Sequence, residues 1–305
     1  MNILLLWDIN LDYIKNNLDS NYNFFSDYNL GDKSKINIIV VRWSNFNLKR
    51  DYLKDCKELK AVFVLWIWTD NIDLSYCKEN NILVSNEPTI STYSVAELTV
   101  GMLINWIRYV YTTGLNLKDG VYSRTPMWYN LTEKKIWILW YGNIWKTTTK
   151  LLNAFRQIRD FDIKVFDINP NQYDNYLEEN NIEKFANFDD FLKNIDYLLI
   201  HIWGGEENMN LINKNILENT NIKWIINTAR KWIVNEEDIL NLLDSNNLYF
   251  YVSDVVMWEP NVGNISKKLL NHKKVFITPH IWANTYQIQK DLLDSLINKI
   301  KNLWL

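Results

Sequence analysis

Ten short apolar runs, at 3–6, 36–41, 62–67, 82–84, 136–139, 163–166, 197–202, 224–226, 249–252 and 275–277, alternate with stretches of helical periodicity along the chain. That alternation predicts βαβ units and parallel sheets rather than a sandwich, bundle or solenoid. Apolar residues recur at three and four in 188–195 and 236–243, which predicts amphipathic helices. A break at 91–94 precedes a long apolar helix predicted over 95–110, and a second long helix is predicted over 283–303. These two helices are placed to join two lobes. The organisation expected is a first domain from 1–95 and 284–305, with a second domain, 96–283, inserted into it. The length of 305 residues suits two such lobes better than one core.

Composition excludes several function classes. With 48% hydrophobic residues, 23% charged residues and a net charge of -3, the chain reads as globular rather than disordered, and no basic excess points to nucleic acid. No segment approaches the ~18 uncharged apolar residues of a membrane span. The opening MNILLLWDIN reads as a first strand, not a leader. Two cysteines, Cys56 and Cys77, make no disulfide framework and have no ligand-spaced partners, so free thiols, a cytoplasmic setting and no metal are expected.

One ratio is abnormal: 15 Trp stand against 8 Gly, with 43 Asn but only 7 Arg and 6 Ala. The bias is that of an AT-rich genome, and it suggests that many Trp stand where glycine belongs. The clearest case follows the 136–139 run, where Trp140-Tyr141-Gly142-Asn143-Ile144-Trp145 leads into a helix through Phe155. A dinucleotide turn needs a tight bend, a bare backbone beside the pyrophosphate and a small residue where helix meets strand. Only Gly142 meets those demands as written. Asp167, 22 residues after Trp145, closes the next strand and is placed to accept from a ribose hydroxyl. On steric grounds, indoles at 140 and 145 are expected to crowd the helix N-terminus and narrow the phosphate site.

With Thr69-Asp70-Asn71-Ile72-Asp73, Ser94-Val95-Ala96-Glu97-Leu98, Asn227-Thr228-Ala229-Arg230, Asp254 with Glu259-Pro260, and Thr278-Pro279-His280, the sequence resembles the D-isomer-specific 2-hydroxyacid dehydrogenase family over nearly its whole length. The resemblance implies two Rossmann-like domains, the cofactor domain inserted into the substrate domain. It also implies NAD as cofactor and a homodimer. Trp66, Trp68, Trp137, Trp140, Trp145, Trp224, Trp232, Trp258 and Trp282 fall where that family commonly has Gly. Drift would scatter over many residue types, so the expectation is a gene in which UGA encodes glycine, read here as tryptophan.

Reducing a 2-keto acid needs a cation for the carboxylate, a proton donor beside the carbonyl oxygen and a hydride from nicotinamide. The resemblance implies that His280 is the acid/base, that Glu259 hydrogen-bonds its ring, and that Arg230 binds substrate. It further implies that Trp140, Gly142, Asn143, Ile144 and Trp145 bring backbone to the pyrophosphate, that Thr228 lies near the nicotinamide, and that Asp254 meets the carboxamide. The loop of Ile67 and Trp68 would offer N–H groups to the substrate carboxylate, and Arg42 is a candidate for a second anionic group. His201 and His272 read as structural or peripheral.

The function expected is hydride transfer between NAD(H) and a small D-2-hydroxy acid, with 3-phosphoglycerate and hydroxypyruvate as candidates. The competing class is a dinucleotide-sensing binding protein of the same fold, resembling a corepressor. The Arg230, Glu259 and His280 set favours the enzyme, because a sensor needs no proton donor. With a single terminal helix predicted, no appended regulatory domain is expected.

Overall fold

A computed structural model describes residues 1–6, 10–18, 21–42, 46–67, 69, 71–124, 128–139, 142–167, 174–202, 204–218, 220–257, 261 and 263–303. Two compact units emerge: Met1–Ser91 with Asn284–Leu305, and Thr92–Ala283, so the second is continuous and the first is made of two segments.

In the first unit β1 (Asn2–Leu6), β2 (Asn23–Phe25), β3 (Ile38–Val41), β4 (Ala61–Val64) and β5 (Leu83–Ser85) form a parallel sheet in the order β2-β1-β3-β4-β5. Its central strands are fully buried, as the unbroken apolar runs Ile38–Val41 and Ala61–Val64 require. The helix Tyr286–Asn302 returns to this unit: its Asp294 accepts from the Tyr13 hydroxyl, and Ile288, Leu292 and Leu296 are buried.

The second unit holds β6 (Lys135–Leu139), β7 (Asp162–Phe166), β8 (Glu183–Phe185), β9 (Tyr197–Ile200), β10 (Trp224–Asn227), β11 (Phe250–Ser253) and β12 (Val275–Ile277). All pair in parallel, in the order β12-β11-β10-β9-β6-β7-β8. Strand β6 is flanked by β7 on one side and β9 on the other, so the order reverses there, and ligands of such sheets bind outside the carboxyl ends at that reversal. Side chains alternate along β6: Ile136 and Ile138 enter the core under the helix Thr92–Arg108, whereas Trp137 and Leu139 enter the opposite core with Phe191 and Leu192.

The expected strands are present, with shifted ends, and two more are found. Strands β2 and β8 are three-residue edge strands, NFF and EKF, and neither contains the aliphatic run that marks a buried strand in sequence. The run predicted over 62–67 ends at Val64, because the chain turns there. The predicted 95–110 helix is Thr92–Arg108, followed by Tyr109 at φ 54° and a second helix, Val110–Lys118. A left-handed residue cannot continue an α-helix, hence the break. The 188–195 helix is shortened to Phe188–Phe191, and Asn194 at φ 59° turns the chain into β9. Among the described residues no helix is long and apolar enough to cross a membrane.

Candidate active site

Strand register puts the candidate residues on one rim. Leu139, Ile200, Asn227, Ser253 and Ile277 are mutually paired across β6, β9, β10, β11 and β12, and Leu139 also pairs with Phe166 of β7. The residues immediately after these ends, Asp167, His201, Thr228, Asp254 and Thr278, therefore stand side by side at the carboxyl edge. Backbone bonds continue the ladder there: His201 N–H donates to Leu139 at 3.0 Å, Asp254 N–H to Asn227 at 3.0 Å and Thr278 N–H to Ser253 at 2.9 Å.

Asp254 organises the turn that carries His280. The carboxylate is fully buried and accepts three hydrogen bonds, from the Thr278 hydroxyl at 2.5 Å, the Ile281 N–H at 2.8 Å and the Trp282 N–H at 2.9 Å. His280, between these donors, takes φ 56°, and its N–H donates to the Thr278 carbonyl at 2.9 Å. A non-glycine residue is costly in the left-handed region, by about 1–3 kcal/mol, and persists only where its surroundings hold it. Burial pushes the Asp254 carboxyl above its usual value, while the Thr278, Ile281 and Trp282 hydrogen bonds and the nearby His280 pull it down. The half-buried imidazole stands 5.9 Å from the Trp282 ring. The family resemblance gave Asp254 to the nicotinamide carboxamide; here both its oxygens are engaged by the His280 turn. Sequence cannot reveal this, because two of the three donors are backbone groups.

Arg230 follows the tight turn after β10, where Asn227 Oδ1 accepts from Ala229 N–H at 3.0 Å and Asn227 Nδ2 donates to the Arg230 carbonyl at 3.2 Å. Its aliphatic stem crosses Gly204 so closely that a Cβ there would lie 2.3 Å from Arg230 Cγ. The Trp232 indole N–H donates to the Gly204 carbonyl at 2.9 Å, closing the other side. Only glycine fits between these two side chains. Glu259 lies outside the described residues, as do Trp140 and Trp68. Just before Glu259, the Met257 N–H donates at 2.7 Å to buried Glu236, whose other oxygen accepts from Ser266.

The helix Asn143–Arg156 starts at Gly142, which has no side chain to cap it, so Asn143 and Ile144 present their N–H groups in an uncapped first turn. Trp145 does not crowd those groups, contrary to the steric expectation. It is fully buried in the core beneath the helix Thr92–Arg108, edge-on to Tyr176 at 5.6 Å. In the first helical turn a side chain at this position projects onto the sheet, so the indole is absorbed by apolar packing. Asp167 is buried at the end of β7. The uncapped helix N-terminus and the rim acid form a donor and acceptor set that suits a dinucleotide.

His201 is structural rather than peripheral, the first of its two expected roles. It is buried behind the rim, with Nδ1 3.2 Å from the Thr228 hydroxyl and Nε2 3.4 Å from that of Thr148, and Thr228 reaches Thr99 at 2.9 Å. Burial depresses its pKa to about 3, so the ring is neutral. It joins the helix bearing the uncapped turn to Thr228. The signal available in sequence was its place directly after a fully apolar strand.

In the first unit Arg42 is also buried, and its Nη1 donates to Gln289 Oε1 of the C-terminal helix at 2.6 Å. Desolvation lowers its pKa to about 10. Engagement with Gln289 makes it part of the helix anchor rather than a solvated loop arginine. Ile67 lies in the turn after β4.

Comparison with known proteins agrees with this architecture. The D-isomer specific 2-hydroxyacid dehydrogenase NAD binding domain matches residues 100–281, more than half of the chain. A hydroxypyruvate reductase from Thermotoga maritima is 29% identical over 268 residues, covering 87% of this chain and 84% of the relative. A D-lactate dehydrogenase from Aquifex aeolicus, solved with NAD and lactic acid, superposes with a TM-score of 0.82 at 20% identity, covering 99% of this chain and 94% of that one. An NADPH-dependent glyoxylate/hydroxypyruvate reductase from Sinorhizobium meliloti gives the same TM-score of 0.82 at 20% identity over 99% of this chain and 94% of its own. The match over residues 100–281, on the unit whose rim carries these residues, establishes that the chain belongs to the D-isomer specific 2-hydroxyacid dehydrogenase family.

Proposed function

We propose that this chain is an NAD-preferring dehydrogenase that interconverts a small D-2-hydroxy acid and its 2-keto acid, with hydroxypyruvate and 3-phosphoglycerate as candidate substrates. The observation that carries the reading is the aligned rim: Thr228, Asp254 and the His280 turn occupy the ends of β10, β11 and β12, beside the reversal at β6. Backbone at Gly142, Asn143 and Ile144 would hold the pyrophosphate, Asp167 the adenosine ribose, and Thr228 would lie by the nicotinamide. When bound, the dinucleotide supplies the hydride for reduction.

In that direction Arg230 binds the keto-acid carboxylate and withdraws charge from the carbonyl. His280 delivers the proton to the carbonyl oxygen, and Glu259 would hydrogen-bond and orient its ring. In oxidation the neutral ring takes the hydroxyl proton back. Ile67 and Trp68 give N–H groups to the carboxylate. The Asp167 carboxylate would repel a 2′-phosphate, and the sequence after it, Ile168-Asn169-Pro170, supplies no arginine, which supports NAD over NADP. The two solved relatives named with NAD and with NADPH share the fold, so that choice rests on the residue rather than the architecture.

The excess tryptophan fits a gene in which UGA encodes glycine. Trp137, on the central strand β6, buries an indole N–H that has no hydrogen-bond partner among the described residues, a cost of about 1–3 kcal/mol that glycine would not incur. UGG codons at 137, 140 and 145 would overturn this. A homodimer and a cytoplasmic setting complete the reading. The exposed apolar side chains Val110, Tyr111, Leu117, Val121 and Tyr122 support the dimer, which light scattering on the purified protein tests. The direct test of function is NADH oxidation with hydroxypyruvate, glyoxylate and pyruvate, using the chain as written and a version with Gly at the nine family positions. Turnover in the glycine version is expected; none with any of these acids, on NADH or NADPH, would reject the dehydrogenase reading.

A further inference from the structure

Asn86 and Glu87 follow β5 and face the turn after β4. The Glu87 N–H donates to the Trp66 carbonyl at 2.9 Å, and Asn86 Nδ2 donates to the Ile67 carbonyl at 2.6 Å. Two successive carbonyls of the turn are thus drawn toward the same neighbouring segment. A trans peptide is planar, with its N–H opposite its carbonyl. Holding the Trp66 carbonyl therefore aims the Ile67 N–H away from Asn86 and Glu87, leaving it for an anion.

The segment that holds the turn is itself held by the end of the chain. Lys299 Nζ lies 2.6 Å from Glu87 Oε1 and donates to the Asn86 carbonyl at 2.9 Å, and the Ser295 hydroxyl donates to the same Glu87 oxygen. Glu87 is only 8% exposed, and such a buried carboxylate is stable only while paired. A continuous polar chain therefore runs from the C-terminal helix, through a buried ion pair, to the backbone of the turn.

We propose that Asn86 and Glu87, braced by Ser295 and Lys299, are positioning residues that hold the Trp66–Ile67 backbone in the shape that receives the substrate carboxylate. The proposal rests on the dehydrogenase reading of this turn. It makes the C-terminal helix a determinant of keto-acid affinity, though more than 200 residues separate Lys299 from Asn86 along the chain.

The test uses the whole 305-residue chain with Gly at the nine family positions as the parent, carrying Asn86→Asp, which keeps the shape but faces one acceptor with another, or Lys299→Met, which removes the charge. Ser295→Ala serves as the milder variant should Lys299→Met fail to fold. Hydrogen exchange at the Ile67 amide is followed with and without oxalate, a dicarboxylate probe that needs no turnover. Oxalate is expected to slow that exchange in the parent and to lose its effect in both variants, while the amides of β4 stay protected. In steady state with NADH, the KM for hydroxypyruvate should rise about tenfold while kcat stays within about threefold. Dissociation of NADH, measured by calorimetry, should not change, and Lys299→Arg should restore the parent KM. Unchanged oxalate protection and KM in the variants would overturn the brace. Faster Ile67 exchange with unchanged KM would overturn its link to the carboxylate. A parent protein with Gly at the nine family positions that turns over no 2-keto acid on NADH or NADPH, yet keeps variant-sensitive oxalate protection, would reject the dehydrogenase reading and leave the braced anion site standing.

Discussion

The carboxyl rim of the seven-stranded sheet is built in two different ways. At β10 to β12 it is knit by polar groups: Asp254 ties together Thr278, Ile281 and Trp282, and Asn227 closes the turn ahead of Arg230. At β6 the same rim opens into an uncapped helix N-terminus, with an indole packed into the core below it. The first half is stiff because each donor has a specific acceptor. The second depends on the absence of side chains. Tryptophan is therefore accommodated where it can point into an apolar layer, at the cost of a buried indole N–H as at Trp137, and it is most damaging where backbone must stay bare. Fold and cofactor binding can consequently fail separately, and so can cofactor binding and proton transfer.

The sharpest break of that comparison is at His280. Replacing His280 with Ala should cut kcat by about 10²–10⁴-fold, the usual worth of a positioned acid/base. NADH binding should persist, since the donors that tie Asp254 to the turn are the Thr278 hydroxyl and the Ile281 and Trp282 N–H groups, all of which the substitution keeps. Near-normal turnover across neutral pH would remove His280 from the chemistry.

Next in size is Trp145→Gly, which probes the other half of the rim. Emptying a native, fully packed indole site costs about 3–5 kcal/mol. If glycine is the natural residue, the helix Asn143–Arg156 can settle onto the sheet, and the loss in urea denaturation should fall below that range. A full cavity cost would mean that Trp145 is native core and that the codon argument fails at this position.

The same contrast explains how much could be read beforehand. Parallel sheets were legible because β1, β3, β4, β6, β9 and β10 each contain a run of at least three consecutive apolar residues, and the rim was legible because polar residues directly follow β7 and β9 to β12. The edge strands β2 and β8 carry no such signal. Arg230 and His280 could be named from their motifs, but the partners of Asp254 could not, since two of its three donors are backbone N–H groups. Trp145 was misjudged for a geometric reason: the sequence shows that a position opens a helix, not which way its side chain enters the core.

A smaller effect is expected at Asp167, the buried acid at the end of β7. Asp167→Ala should improve kcat/KM with NADPH relative to NADH by about tenfold, by removing the charge that repels a 2′-phosphate. An unchanged ratio would show that cofactor choice lies in the loop after it.

The smallest effect concerns what joins the two halves of the rim, the buried His201 between Thr148 and Thr228. Its folded pKa of about 3 lies below the ordinary 6.5, with burial as the cause. Between those values the unfolded chain binds a proton that the native protein does not, so stability rises with pH across that window. The contribution is complete above the unfolded value and drains away as the solution is acidified, with a slope approaching ~1.4 kcal/mol per pH unit. His201→Gln keeps a hydrogen-bonding side chain but cannot titrate, so its stability should fall less between neutral pH and about pH 5.5, by ~1.4 kcal/mol. Comparing urea midpoints of the two proteins across that range isolates the histidine from the carboxylates they share. Parallel curves would mean that water or a rearranged Thr228 stabilises the imidazolium, and that the two halves of the rim are coupled less rigidly than the Thr148–His201–Thr228 chain implies.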